Sequence, residues 1–332
     1  MIVSVRARYD RRPQPQFARR LVAQCLAMLL VGMAMAAAAH AQTPGAQAPA
    51  DEEPITPVPA PPAADPRKLA LGERLFFDPH LSRDGSRSCA SCHDIRTNGA
   101  DSRQHDEALD GSKLPLNTPT VFNAALSFRL NWEGNFRSLE AQAEALLENP
   151  GIMGAASVDE VIGNLRADPD TVRQFRAAYG HGPDRASLLD AIASYERTLL
   201  TPGSRFDRWL AGDASALSTE EQNGYQLFKS LGCVSCHQGV NVGGNLFERH
   251  GIFHPLASPK PEILRVPSLR NVATTPPYFH DGSAPTLPDA VRKMAFAQLD
   301  TKLSDEQTDL IVAFLKTLTG TYRGLPVVAP PP

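Results

Sequence analysis

From residue 65 onward, apolar residues recur at helical spacing and polar caps punctuate them. Asp65-Pro66 sets an N-cap before a proline at the first helical position, and Leu69, Leu75 and Phe76 then supply a short apolar face. Ser157 with Glu160 reads as a capping box ahead of Val161, Ile162 and Leu165. Leu188 to Leu200 predicts a further helix, broken by Thr201-Pro202-Gly203. Ser218 and Glu221 cap a helix through Leu227, Phe228 and Leu231, and another begins near Leu287. Ser304 and Gln307 cap the last helix, which puts Leu310, Ile311, Phe314, Leu315 and Leu318 on one face, with Gly320 placed to close it. Strand patterns are sparse, and Pro and Gly are frequent between the helices. The pattern predicts a mainly α fold with long loops.

The first 64 residues follow other rules. Residues 1–20 carry six arginines and one acid, and Leu21 to Ala38 is almost wholly apolar. Ala39-His40-Ala41 fits the small-x-small cleavage rule, which predicts a signal peptide over residues 1–41, cut before Gln42. Eighteen largely apolar residues also approach a membrane span, so an uncleaved anchor is the alternative. Residues 42–64 are rich in Pro and Ala and read as an extended, mobile linker with no core of its own. The helical pattern then divides into domains over 65–202 and 203–325, with 326–332 as a tail. Without the leader the formal charge falls from −3 to −8, because the leader holds six Arg and one Asp. A mildly acidic body does not suggest nucleic acid, and it leaves open a basic partner protein.

Cysteine placement changes the picture most. Apart from Cys25 in the leader, every cysteine falls in one of two Cys-x-x-Cys-His runs: Cys89, Cys92 and His93, then Cys233, Cys236 and His237. This is the c-type haem attachment pattern, in which two thiols add across the haem vinyl groups and the histidine binds iron from one side. A four-thiolate zinc site also uses two such pairs but does not need a histidine after each. Disulfides are the other alternative in an oxidising compartment, although a Cys-x-x-Cys loop is more often redox-active or metal-linked. The motifs lie 144 residues apart, which suits one haem c per domain. Each half then repeats one plan: helix, haem motif, long loops, helix. Covalent haem attachment agrees with export to the periplasm.

Around these motifs the chain resembles the bacterial dihaem cytochrome c peroxidases, a family that includes the dihaem enzyme that matures methylamine dehydrogenase. The resemblance covers about residues 68–320. It is carried by Leu75-Phe76-Phe77-Asp78-Pro79, Leu81-Ser82-Arg83-Asp84-Gly85, Asn117-Thr118-Pro119-Thr120 and Asn131-Trp132-Glu133-Gly134. Val266-Pro267-Ser268-Leu269-Arg270-Asn271 and Pro277-Tyr278-Phe279-His280-Asp281-Gly282-Ser283 carry it in the second half. The resemblance implies a low-potential peroxide site at the His93 haem and a high-potential electron entry at the His237 haem. Met294, 14 residues after His280, matches the family's axial methionine. A thioether ligand favours reduced iron; the ordinary alternative is a core methionine, and Met153 is a competitor from the first domain. Trp132, 15 residues after Asn117, matches the tryptophan between the haems, against the alternative of a packed aromatic. Calcium between the domains is also implied, held by Asn117 and the carbonyls of Thr275 and Pro277; Asn117 could instead cap a turn. In resting family members a removable loop histidine covers the open face of the first haem. His105 is the histidine between the first motif and Trp132, yet a gap-free reading sets Leu109 at that position, so an ordinary loop histidine is the alternative.

One position departs from the family. Its glutamate for proton transfer falls 20 residues after the tryptophan, and Ile152 stands there; the glutamine ten residues earlier is present as Gln142. Glu148 and Glu144 are the neighbouring acids that could substitute, and solvated helix positions are the ordinary fate of such residues. The implied activity is reduction of hydrogen peroxide with electrons from a small periplasmic cytochrome c or copper protein, with a homodimer left open. Two alternatives follow from the Ile152 departure and from the haem motifs: a dihaem oxidase of a partner protein or organic substrate, and a dihaem electron carrier.

Overall fold

A computed structural model describes residues 53–256 and 262–331, and the signal segment lies outside them. The described chain is mainly helical, with two short hairpins as its only sheets among those residues. The first half contains α1 (Pro66–Phe76), α2 (Leu139–Glu148), α3 (Val158–Ala167), α4 (Pro169–Tyr179) and α5 (Arg185–Glu196). The second contains α6 (Arg205–Leu210), α7 (Thr219–Ser230), α8 (Leu287–Leu299) and α9 (Asp305–Lys316). Strands β1 (Phe247–Arg249) and β2 (Ile263–Arg265) pair antiparallel, as do β3 (Thr321–Tyr322) and β4 (Leu325–Pro326).

Local chemistry sets the helix starts. The Asp65 carboxylate accepts the Arg67 N–H at 2.8 Å and begins α1. Ser218 with Glu221, and Ser304 with Gln307, form reciprocal capping boxes on α7 and α9. Ser157 caps α3, but Glu160 does not reach back to it; its carboxylate accepts the Ala156 N–H at 2.6 Å instead. The helix expected over Leu188–Leu200 begins earlier, behind an Asp184/Ser187 box, and ends at Glu196. Beyond it the chain tightens, with the Thr198 and Leu199 N–H groups donating to the Tyr195 and Glu196 carbonyls, and the Leu199 carbonyl accepts the Asn123 N–H at 2.8 Å. Gly320 does not close α9, which ends at Lys316 with Thr317 as cap; the Gly320 N–H donates to Asn271 Oδ1 at 2.9 Å.

The helix before each haem motif crosses a later helix at a glycine. A Cβ on Gly72 of α1 would lie 2.1 Å from the Ala191 carbonyl oxygen of α5. A Cβ on Gly224 of α7 would lie 2.0 Å from the Leu310 carbonyl oxygen of α9. Only glycine permits either approach. The repeated plan read from the sequence is therefore a repeated helix crossing.

Both ends of the described chain carry a correction. The linker was expected to lack a core, yet Ile55 is 0% exposed and packs with Phe206, Tyr225 and Phe314. Its backbone is also bound: the Pro54 carbonyl accepts the Gly239 N–H at 2.8 Å, and the Thr56 carbonyl accepts from Arg270 Nη2 at 2.8 Å. Two buried apolar side chains among exposed prolines, Ile55 and Val58, anchor this strap. At the other end, Val327 of the expected tail is buried with Phe76, Phe122 and Leu199 beside the first haem motif. Each terminus thus packs on the domain that it does not belong to by sequence.

Candidate active site

Each Cys-x-x-Cys-His run folds as a tight 3-10 turn. The His93 N–H donates to the Cys89 carbonyl at 3.0 Å, and the His237 N–H to the Cys233 carbonyl at 3.0 Å. The turn gathers two thiols and one imidazole on one side. His93 Nδ1 lies 3.2 Å from the Gly99 carbonyl, and His237 Nδ1 lies 3.2 Å from the Val242 carbonyl. A carbonyl can only accept, so Nδ1 carries the hydrogen and Nε2 keeps its lone pair in both rings. Burial lowers both imidazoles from their ordinary value, His237 to about 4, so both are neutral. A neutral imidazole with a free Nε2 is the form that ligates iron.

The thiols argue in the same direction. Burial pushes Cys89 up to about 12 and Cys233 up to about 11. Without a metal these are neutral thiols, the form that adds across a vinyl group. Among the described residues no group of three or more His, Cys, Asp or Glu side chains is gathered as a metal site, so the two pairs do not merge. All four cysteines are unpaired.

One continuous cavity of about 630 Å³ takes both motifs into its wall. Met294, Trp132, Gln142, Asn117, Thr275 and Pro277 line it too, as does Ile152. The wall is largely apolar, and each motif presents two thiols and an imidazole with a free Nε2 to it, so these residues fit two covalently held haems.

Trp132 joins the halves. Its Nε1–H donates to the Asn117 carbonyl at 2.7 Å, and its own carbonyl accepts the Arg265 N–H at 2.7 Å. The indole meets His280 edge-on at 4.5 Å between ring centroids, and the Arg265 guanidinium lies 5.7 Å over its face. Asn117 is itself bound across the halves, its N–H donating to the His280 carbonyl at 2.7 Å. Gln142 Nε2 donates to Asn131 Oδ1 at 2.7 Å, which fixes the glutamine amide beside this bridge.

Two sequence candidates are not brought to the site. His105 is absent from the cavity wall; its neighbour Asp106 turns inward, 1% exposed, and takes hydrogen bonds from Arg103 and Thr118. His105 itself is half-buried, its Nδ1 enclosed and without a hydrogen-bond partner, but it stands off that wall. Glu148 is also off the wall: its Oε1 accepts the Val158 N–H at 3.0 Å and caps α3. Glu144 pairs with Arg185 near the surface. Sequence reasoning missed Asp106 and Glu196, both carboxyls on the cavity wall. Burial pushes both above the ordinary carboxyl value, Glu196 to about 8. No local pattern marks either one, because their depth depends on loops and helices distant in sequence.

Residues 66–215 match the family model of di-haem cytochrome c peroxidase, and residues 221–319 match that of cytochrome c. The chain is 39% identical over 280 residues to cytochrome c551 peroxidase of Nitrosomonas europaea, covering 78% of this chain and 83% of that protein. The chain belongs to the di-haem cytochrome c peroxidase family. It is also 41% identical over 275 residues to cytochrome c peroxidase Ccp of Escherichia coli, a match spanning 78% of this chain and 59% of that longer protein. A solved MauG-like protein associated with microbial copper homeostasis superposes with a TM-score of 0.67 at 28% identity, covering 79% of this chain and 93% of that one. Membership of this di-haem family implies two haem c groups. Among the described residues no helix is long and apolar enough to cross a membrane.

Proposed function

We propose that this protein is a periplasmic di-haem peroxidase that reduces hydrogen peroxide to water, taking two electrons and two protons per peroxide. The electrons come from a small cytochrome c or copper protein. The observation that carries this reading is the single cavity shared by both haem motifs, with Trp132 pinned between the halves by hydrogen bonds to Asn117 and Arg265. Haem c groups held there supply the redox-active iron. Cys89, Cys92 and His93 would hold the first; Cys233, Cys236 and His237, together with Met294, would hold the second. Trp132 carries electrons from the C-terminal half to the N-terminal half. Gln142, fixed by Asn131, orients peroxide in the first half. Asn117 with the Thr275 and Pro277 carbonyls holds calcium, which keeps Asn117 against His280 and so keeps the halves in register. His105 and Glu148 take no part in this scheme.

Stopped-flow mixing of the half-reduced protein with hydrogen peroxide tests it. Haem oxidation much faster than in a bare haem peptide is expected; equal rates remove peroxidase activity. Ile152 on the cavity wall favours a second reading, oxidation of a partner protein or organic substrate, because the family's proton-transferring carboxyl is missing there. Prompt haem oxidation followed by slow return on adding reduced cytochrome c selects that reading. Two irons that bind neither cyanide nor peroxide select an electron carrier.

A further inference from the structure

Glu196 ends α5 on the wall of the cavity. Its Oε2 is buried and has no hydrogen-bond partner. A buried, unpaired carboxylate is costly, so such a group holds a proton unless a positive charge comes near. The charged and titratable groups that face it are few. Arg197 follows it in the chain, but the Arg197 guanidinium is paired with Glu140 of α2. The remaining group is the Cys89 thiol of the first haem motif, which is neutral. Burial accordingly pushes the Glu196 carboxyl up to about 8, with Arg197 pulling it down and Glu140 pushing it up.

We propose that Glu196 is the redox-linked proton site of the first haem: its carboxyl takes up one proton as that haem takes up one electron, and releases the proton when the electron leaves. This rests on the di-haem reading above. Oxidised haem carries one more positive charge than reduced haem. Through a low-dielectric wall that charge favours the carboxylate, and its loss favours the neutral acid. The electron comes from the reduced donor protein and the proton from solvent, so the net charge of the pocket is unchanged. Peroxide reduction consumes electrons and protons in equal number, and Glu196 takes up a proton in the first half for each electron that the donor protein delivers there. The Glu196 carboxylate acts through space on the Cys89 thiol and not on Cys233, which sets it beside the first haem motif and not the second.

The test is a spectroelectrochemical titration of both haems in the loaded protein, wild type and Glu196→Gln, over about pH 6 to 9, a range that brackets the Glu196 value of about 8. The wild-type potential of the first haem should fall as pH rises. At its steepest the change approaches tenfold in the reduction equilibrium per pH unit, ~59 mV for a one-electron couple. Glu196→Gln should remove that slope, leave the potential near its low-pH wild-type level, and leave the second haem unaltered. A slope that survives in the variant overturns the proposal. Should the variant fail to load, redox-difference infrared spectra of the wild type decide: a protonated-carboxyl band present in the reduced state and lost on oxidation is expected, and absence of any such band overturns the proposal. Wild-type protein with fewer than two attached haems would sink the di-haem reading instead.

Discussion

Ile55→Ala separates a bound strap from a free tether. The side chain is 0% exposed and sits among Phe206, Tyr225 and Phe314. Full burial of an isoleucine contributes roughly 1.5–3 kcal/mol by transfer, and truncation to alanine in a packed core costs about 2–5 kcal/mol once the cavity is included. The strap lies near the start of the described chain and can relax toward the gap, so the lower half of that range applies, ~3 kcal/mol. Its hydrogen bonds remain: Gly239 N–H to Pro54, Arg270 to Thr56, and Tyr225 Oη to Glu53 at 2.5 Å. The assay is guanidinium unfolding of the haem-loaded protein, with Pro62→Ala as an exposed control in the same segment. Ile55→Ala should lower the midpoint at constant slope, whereas the control should stay within about 0.5 kcal/mol of wild type. Hydrogen exchange adds a local readout, because the Gly239 amide follows the second haem turn and is held by the strap. It should exchange faster in Ile55→Ala. Equal midpoints for Ile55→Ala and Pro62→Ala would refute the strap.

Three further outcomes follow from the site. Ile152→Glu restores a carboxyl to the cavity wall and should raise the rate of peroxide reduction, by ~10²-fold or more if it acts as a general acid–base; an unchanged rate in stopped flow means that proton transfer is handled elsewhere. Trp132→Phe keeps an aromatic ring but removes the Nε1–H bond to Asn117, so electron transfer between the halves should slow at least ~10-fold while stability falls by only about 1 kcal/mol. Flash-photolysis rates equal to wild type would show that Trp132 is not the bridge. Glu196 has a folded value of about 8 against an ordinary 4.5, so the folded protein keeps a proton that the unfolded chain releases between those values. Its contribution to stability is present below the lower value and is lost as pH rises to the upper one. Urea midpoints at about pH 5 and pH 8 should therefore differ less in Glu196→Gln than in wild type, and parallel behaviour contradicts the assignment.

The sequence by itself determined the helix starts at Asp65, Ser157, Ser218 and Ser304, the two haem turns and the family. Caps such as Ser218/Glu221 and Ser304/Gln307 act within four residues, and Cys-x-x-Cys-His is a covalent requirement confined to five. Spacing along the family's motifs also took Trp132, Gln142, Asn117, Thr275, Pro277 and Met294 to residues that share one cavity wall. Only the tertiary structure decided which acids face that cavity. Glu148 looked available next to Ile152, but a helix start ten residues later takes its carboxylate. His105 and Asp106 are adjacent in sequence, yet only Asp106 lines the cavity, where Arg103 and Thr118 hold its carboxylate. Ile55 and Val327 lie in proline-rich ends whose composition reads as unstructured, and each is buried against the half more distant in sequence. Burial is a property of contacts between segments far apart in the chain, so a carboxyl such as Glu196 acquires its proton affinity, and with it any role, only when the fold closes around it.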